Sequence, residues 1–141
     1  MTNRQNAGPT ARLTPPTVAD IERAAEEALA SVPVAFRRLM GTVVVQVEDF
    51  PDAATESEMA LESPFDILGL YRGVDLTRRS LGDIRHDQDR IFLYRRPLLD
   101  YWCESGEDLA DLVRHVLIHE IGHHFGLSDD DMEAIEADDT P

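Results

Sequence analysis

Residues 107–129 read EDLADLVRHVLIHEIGHHFGLSD, and within them His119, Glu120, His123, Gly126 and Asp129 spell HExxHxxGxxD. Residues four apart on a helix lie on one face, about one turn along the axis. His119 and His123 can therefore aim two imidazoles at one metal ion. Glu120 is rotated roughly 100° from His119, so its carboxylate stands beside such an ion without binding it. Gly126 suits the residue after a helix C-cap, which often takes a left-handed conformation. The chain then turns back, and Asp129 is placed to become a third ligand.

The residues around the motif support this reading. Leu109, Leu112, Val113, Val116, Leu117, Ile118, Ile121 and Phe125 make the segment apolar. A turn of about 100° per residue puts Val113, Leu117, Ile118, Ile121 and Phe125 on one core-facing stripe. His119 and His123 fall on the other side, near Leu112 and Val116. A mostly buried helix needs partners for its polar groups, and a metal ion would satisfy several at once. His115 lies a turn before His119, but about 12 Å along the axis from His123. Metal–nitrogen bonds are about 2.0–2.1 Å, so one ion cannot hold both. His115 reads as a supporting polar residue, and His124 as a packed, hydrogen-bonded one on the core side. Ser128-Asp129-Asp130-Asp131 also has the composition of a helix start, where acids are favoured without any metal. Asp130 and Asp131 therefore stay open as alternatives to Asp129, although the spacing from Gly126 favours Asp129.

The string resembles the zincin metallopeptidase signature, in the variant with aspartate as third ligand. More narrowly, the chain is similar to the small bacterial metallopeptidases of the minimal zincin family. Three stretches carry the likeness: Leu68-Gly69-Leu70-Tyr71-Arg72-Gly73 with Leu76-Thr77 and Arg79-Ser80, Arg90-Ile91-Phe92-Leu93-Tyr94-Arg95, and the HExxHxxGxxD string. It spans roughly residues 18–137, and only the last stretch is chemically specific. The resemblance implies a zincin-like α+β fold, a small mixed sheet packed against helices with the HExxH helix at its centre. It also implies one metal centre. Met132 is too close to the motif to serve as the Met-turn of larger relatives.

Neutral imidazoles and a carboxylate suit Zn2+, with a fourth position left for water. Zinc can bring that water's pKa to about 7, leaving Glu120 to take its proton and pass it to a leaving amine. The expected activity is zinc-dependent hydrolysis of peptide bonds, with Glu120 as catalytic base and His119, His123 and Asp129 as metal ligands. Two other readings use the same residues. One is a non-catalytic binding module stabilised by its metal. The other is a non-haem iron oxygenase, since two histidines and a carboxylate also suit iron, but that leaves Glu120 without a role.

Length and charge set bounds. A chain of 141 residues makes one domain and one core. A net charge of −15, from 28 acids against 13 bases, repels phosphates. Nucleic acid is not an expected partner; a peptide or protein substrate is. Cys103 is the single cysteine, so no intramolecular disulfide can form. No run reaches membrane-spanning length and residues 1–16 lack an apolar targeting core. These features predict a cytoplasmic protein with no membrane partner.

The polar residues 1–16 read as a disordered leader before a single domain over 17–141. Thr17 caps a helix running to about Ala30, and a short helix over 34–40 stops at Gly41. Residues 42–48 form the strongest strand signal. Residues 52–63 are an acidic helix or loop, 67–72 a second strand and 73–89 a long connection carrying Arg78, Arg79, Arg85 and His86. Residues 90–95 form a third strand; the resemblance to zincins implies that it is the sheet edge beside the metal, where an extended substrate pairs with it. Pro97 opens a short helix, the motif helix follows over about 107–125, and a last helix ends near Ala137.

Overall fold

The computed structural model describes residues 14–73 and 89–137. Most of the expected leader, and the connection carrying Arg78, Arg79, Arg85 and His86, lie outside these residues. Helix α1 spans Val18–Ser31. It begins at a reciprocal cap: Asp20 N–H donates to Thr17 Oγ1 at 3.1 Å, and Thr17 N–H to Asp20 Oδ2 at 2.8 Å. Ile21, Ala25 and Ala28, at helical spacing, are its buried face. Helix α2, Val34–Met40, stops at Gly41. Strand β1 is Val43–Glu48 and helix α3 is Ala53–Glu58, capped by the Asp52 side chain. A single 3-10 turn at Pro64–Asp66 leads into β2, Gly69–Arg72. Strand β3 is Asp89–Tyr94, followed by α4, Arg95–Ser105. The motif helix α5 is Leu109–His124 and the last helix α6 is Asp129–Ala137. The architecture is α+β, as the element order predicts.

The three strands lie in the order β1-β3-β2, with β1 parallel and β2 antiparallel to β3. This corrects one expectation. Residues 90–95 are not an edge strand: β3 is the centre of the sheet, and Arg95 already belongs to α4. The cause is burial. Ile91 and Leu93 are fully enclosed and Tyr94 nearly so, which only a strand flanked on both sides achieves here. Its arginines are used inside the protein. Arg90 donates to Gln46 Oε1 on β1. Arg95 donates to the Pro16 carbonyl at 2.7 Å and pairs with Asp49. The Arg96 guanidinium lies over the Phe50 ring. Strand β2 is the edge nearer the motif.

Helix α5 packs against α1, β2 and α6. Leu112, Val113, Val116, Leu117, Ile118 and Ile121 are all buried, so the apolar face is wider than the single stripe read from the sequence. They form one core with Ile21, Phe36, Ile91, Leu93, Leu98 and Met132. No helix among the described residues is long and apolar enough to cross a membrane.

Candidate metal centre

The end of α5 follows from Gly126, whose φ of +74° lies in the left-handed region. Leu127 N–H donates to the Gly122 carbonyl at 2.8 Å and Gly126 N–H to that of His123 at 3.2 Å. This pair of bonds is a Schellman motif and satisfies carbonyls that the helix end would otherwise orphan. Ser128 then starts α6. Its hydroxyl accepts from Asp131 N–H at 3.1 Å, while Asp131 Oδ2 accepts from Ser128 N–H at 3.2 Å. The carboxylate of Asp131 is thus committed to the cap.

Helix α6 runs back along α5. Met132 is fully buried and sits against Gly122, where a Cβ would fall 2.8 Å from Met132 Cγ and closer still to its Sδ. The glycine inside the HExxH motif therefore makes room for a close contact between the two helices. On α5, His115, His119 and His123 are spaced at one-turn intervals, as are Asp129, Glu133 and Glu136 on α6. His115 and His119 face the acids of α6, while His123, a turn further on, does not line the space between them.

His115, His119, Asp129, Glu133, Glu136 and Ala137 line one open cleft of about 620 Å³. Of the acids considered as third ligand, Asp129 is the one on this cleft; Asp131 lines a different hollow with Pro33, Phe36 and Ile135. His119 is half-buried, and its Nε2 lies 2.9 Å from Glu136 Oε2. His123 is exposed, its ring perpendicular to that of His119 with centroids 5.9 Å apart. Among the described residues, the donor atoms gathered within 4.8 Å of one another belong to His115, His119 and Glu136. His119, His123 and Asp129 are not gathered to that span. Sequence reading missed Glu136, although the acidic stripe on α6 was a signal that could have found it.

Glu120 points elsewhere. It is half-buried, and its Oε1 accepts the backbone N–H of Tyr71 on β2 at 3.2 Å. Burial pushes its pKa up, against the Tyr71 amide and the two neighbouring histidines, which pull it down. Tyr71 is itself fixed: its hydroxyl lies 3.1 Å from Asp89 Oδ2, and its ring stacks on His124 with centroids 3.9 Å apart. His124 is exposed and held by this stacking, rather than packed on the core side as its sequence position suggests.

The donor set fits a divalent ion chemically. Imidazoles on one helix face carboxylates on another across a cleft that, among the described residues, has no arginine in its lining. No curated protein matches the chain. The family profile described as zincin-like metallopeptidase matches residues 40–138, from the end of α2 past the end of α6, so the histidines of α5, the acids of α6, Glu120 and β2 fall inside it. The chain belongs to the zincin-like metallopeptidase family.

Proposed function

We propose that the protein is a zinc-dependent peptidase in which His119, His123 and Asp129 hold the ion and Glu120 handles the proton of the attacking water. Bound zinc would supply Lewis acidity and bring the pKa of a water molecule to about 7. The remaining steps belong to the chain. Glu120 accepts a proton from that water and returns it to the amine nitrogen as the peptide bond breaks. The Tyr71 amide restrains the Glu120 carboxylate on the β2 side, and the charges of His119 and His123 act on it, which supports its role as the base. Asp129 lines the same cleft as His119, which supports it as the ligand from the opposite helix.

The observation that carries this reading is Glu120. It is a half-buried carboxylate next in sequence to His119, fixed by a backbone amide and, among the described residues, in no ion pair with an arginine. The substrate class is peptide or protein, presented in extended form along β2, the sheet edge next to Glu120.

Substituting Glu120→Gln tests the proposal. The variant should retain its zinc and its circular dichroism and lose about 10² to 10⁴ in turnover of a peptide library read by mass spectrometry. Equal turnover by variant and wild type removes Glu120 from the mechanism. No cleavage by either zinc-loaded protein favours a metal-stabilised binding module.

A further inference from the structure

We propose that His115, His119 and Glu136 form a second site for a divalent transition-metal ion, overlapping the HExxH set at His119. His115 Nδ1 lies 2.8 Å from Glu136 Oε1, and His119 Nε2 lies 2.9 Å from Glu136 Oε2. The ligating atoms of all three residues fall within 4.8 Å of one another. One carboxylate thus faces two imidazole nitrogens, and an ion placed among them takes over from the protons that otherwise bridge these contacts.

The geometry needs little adjustment. A tetrahedral ion with bonds of about 2.0–2.1 Å keeps its donor atoms about 3.3 Å apart. The two nitrogen–oxygen contacts, which reach different oxygens of the one carboxylate, open by roughly 0.5 Å to admit the ion. His115 is exposed, so its ring is free to make that movement. Its ring already sits beside that of His119, with centroids 4.1 Å apart.

The third ligand is held from behind. Arg114 donates to the carbonyls of Glu136 at 2.9 Å and Ile135 at 3.2 Å, and to Ser31 Oγ at 3.0 Å. A guanidinium at the C-terminal carbonyls of α6 is also favourable to the helix dipole. These bonds tie the end of α6 to both α1 and α5, so the backbone of Glu136 is anchored. Asp129 and Glu133 line the same cleft and add negative potential. Two imidazoles and one carboxylate select borderline ions such as Zn2+, Ni2+ or Cu2+ over Mg2+ and Ca2+.

His119 can give its Nε2 to one ion at a time. The two donor sets therefore exclude one another, and the chain holds one ion in either of two positions along α5. The proposal stands on residues 115, 119 and 136 and shares only His119 with the peptidase reading.

Titration of the zinc-free full chain with Zn2+ alone, by competition with a chromophoric chelator, tests it. The His123→Ala/Asp129→Asn variant should still bind one zinc per chain, and adding Glu136→Gln should abolish that binding. Ring 15N resonances of His115 should shift on zinc addition to the first variant. If that variant stays folded by circular dichroism and binds no zinc, the second site does not exist. The site is equally overturned if the variant binds zinc with His115 unshifted and Glu136→Gln silent. The His115→Ala/Glu136→Gln variant should keep one zinc at the HExxH set. If it binds none while His123→Ala/Asp129→Asn binds one, the peptidase ligand assignment falls and the second site stands.

Discussion

Replacing Gly122 with alanine sets helix propensity against packing, and the two effects have opposite signs. Alanine in a helix interior is favoured over glycine by about 1 kcal/mol. On propensity alone, Gly122→Ala should stabilise α5. The added methyl, however, falls 2.8 Å from Met132 Cγ and against its Sδ, with Leu127 Cβ at 3.7 Å. Met132 has three rotatable side-chain bonds but is fully buried, so its escape routes are blocked by the core. Overpacking of this kind costs about 1–3 kcal/mol. The net expectation is a loss of about 1 kcal/mol, or about 3–4 °C in Tm for a domain of this size. Urea unfolding reads it as a lower midpoint at unchanged slope. A cycle with Met132→Ala isolates the cause. Alone, Met132→Ala should cost about 2–5 kcal/mol. In the Gly122→Ala background it should cost less, with a coupling of about 0.5–3 kcal/mol, because the new methyl occupies part of the space. A Gly122→Ala protein as stable as wild type, or strictly additive behaviour in the cycle, would refute the contact as the reason for this glycine.

Gly126→Ala should destabilise the fold by about 1–2 kcal/mol through its left-handed backbone alone, and Gly126→Asn by less, because asparagine tolerates that region; urea midpoints of the pair check the ranking. Burial pushes the Tyr94 hydroxyl up to about 12 and raises that of Tyr71 as well. The native state therefore holds these protons more tightly than the unfolded chain, whose tyrosines titrate at ~10. Their contribution to stability is complete below ~10 and is lost as pH rises toward about 12. Unfolding midpoints measured across that interval should fall for wild type and fall less for Tyr94→Phe.

The local parts of this fold were legible because their causes are local. Thr17 and Asp20 cap each other across one turn, and Gly41 and Gly126 end helices where their positive φ is needed. The HExxH spacing likewise follows from helix geometry. Strand order was not legible in the same way. Arg90, Arg95 and Arg96 around β3 resemble the charges that protect an edge, yet they are engaged by Gln46, Asp49, Pro16 and Phe50. Those partners come from β1 and from chain before and after it, and no window of sequence shows that they converge. The apolar content of Ile91, Leu93 and Tyr94 was the better guide to a central strand.

Glu136 was missed for a related reason. It lies 17 residues from His119, and only the return path of α6 brings the two together. That path does leave one trace in the sequence. A glycine in the middle of an otherwise apolar helix costs about 1 kcal/mol relative to alanine, and nothing within α5 requires its conformational freedom. A cost without a local cause points to a non-local one, here the close approach of another element. The nearest apolar residue able to reach Gly122 after the turn at Gly126, with a side chain slender enough to lie along it, is Leu127 or Met132. Choosing Met132 sets the register of α6 on α5. Once that register is set, helical spacing alone carries Asp129 and Glu136 to the histidine stripe. The glycine of the motif is therefore what couples the histidines on α5 to the acids on α6.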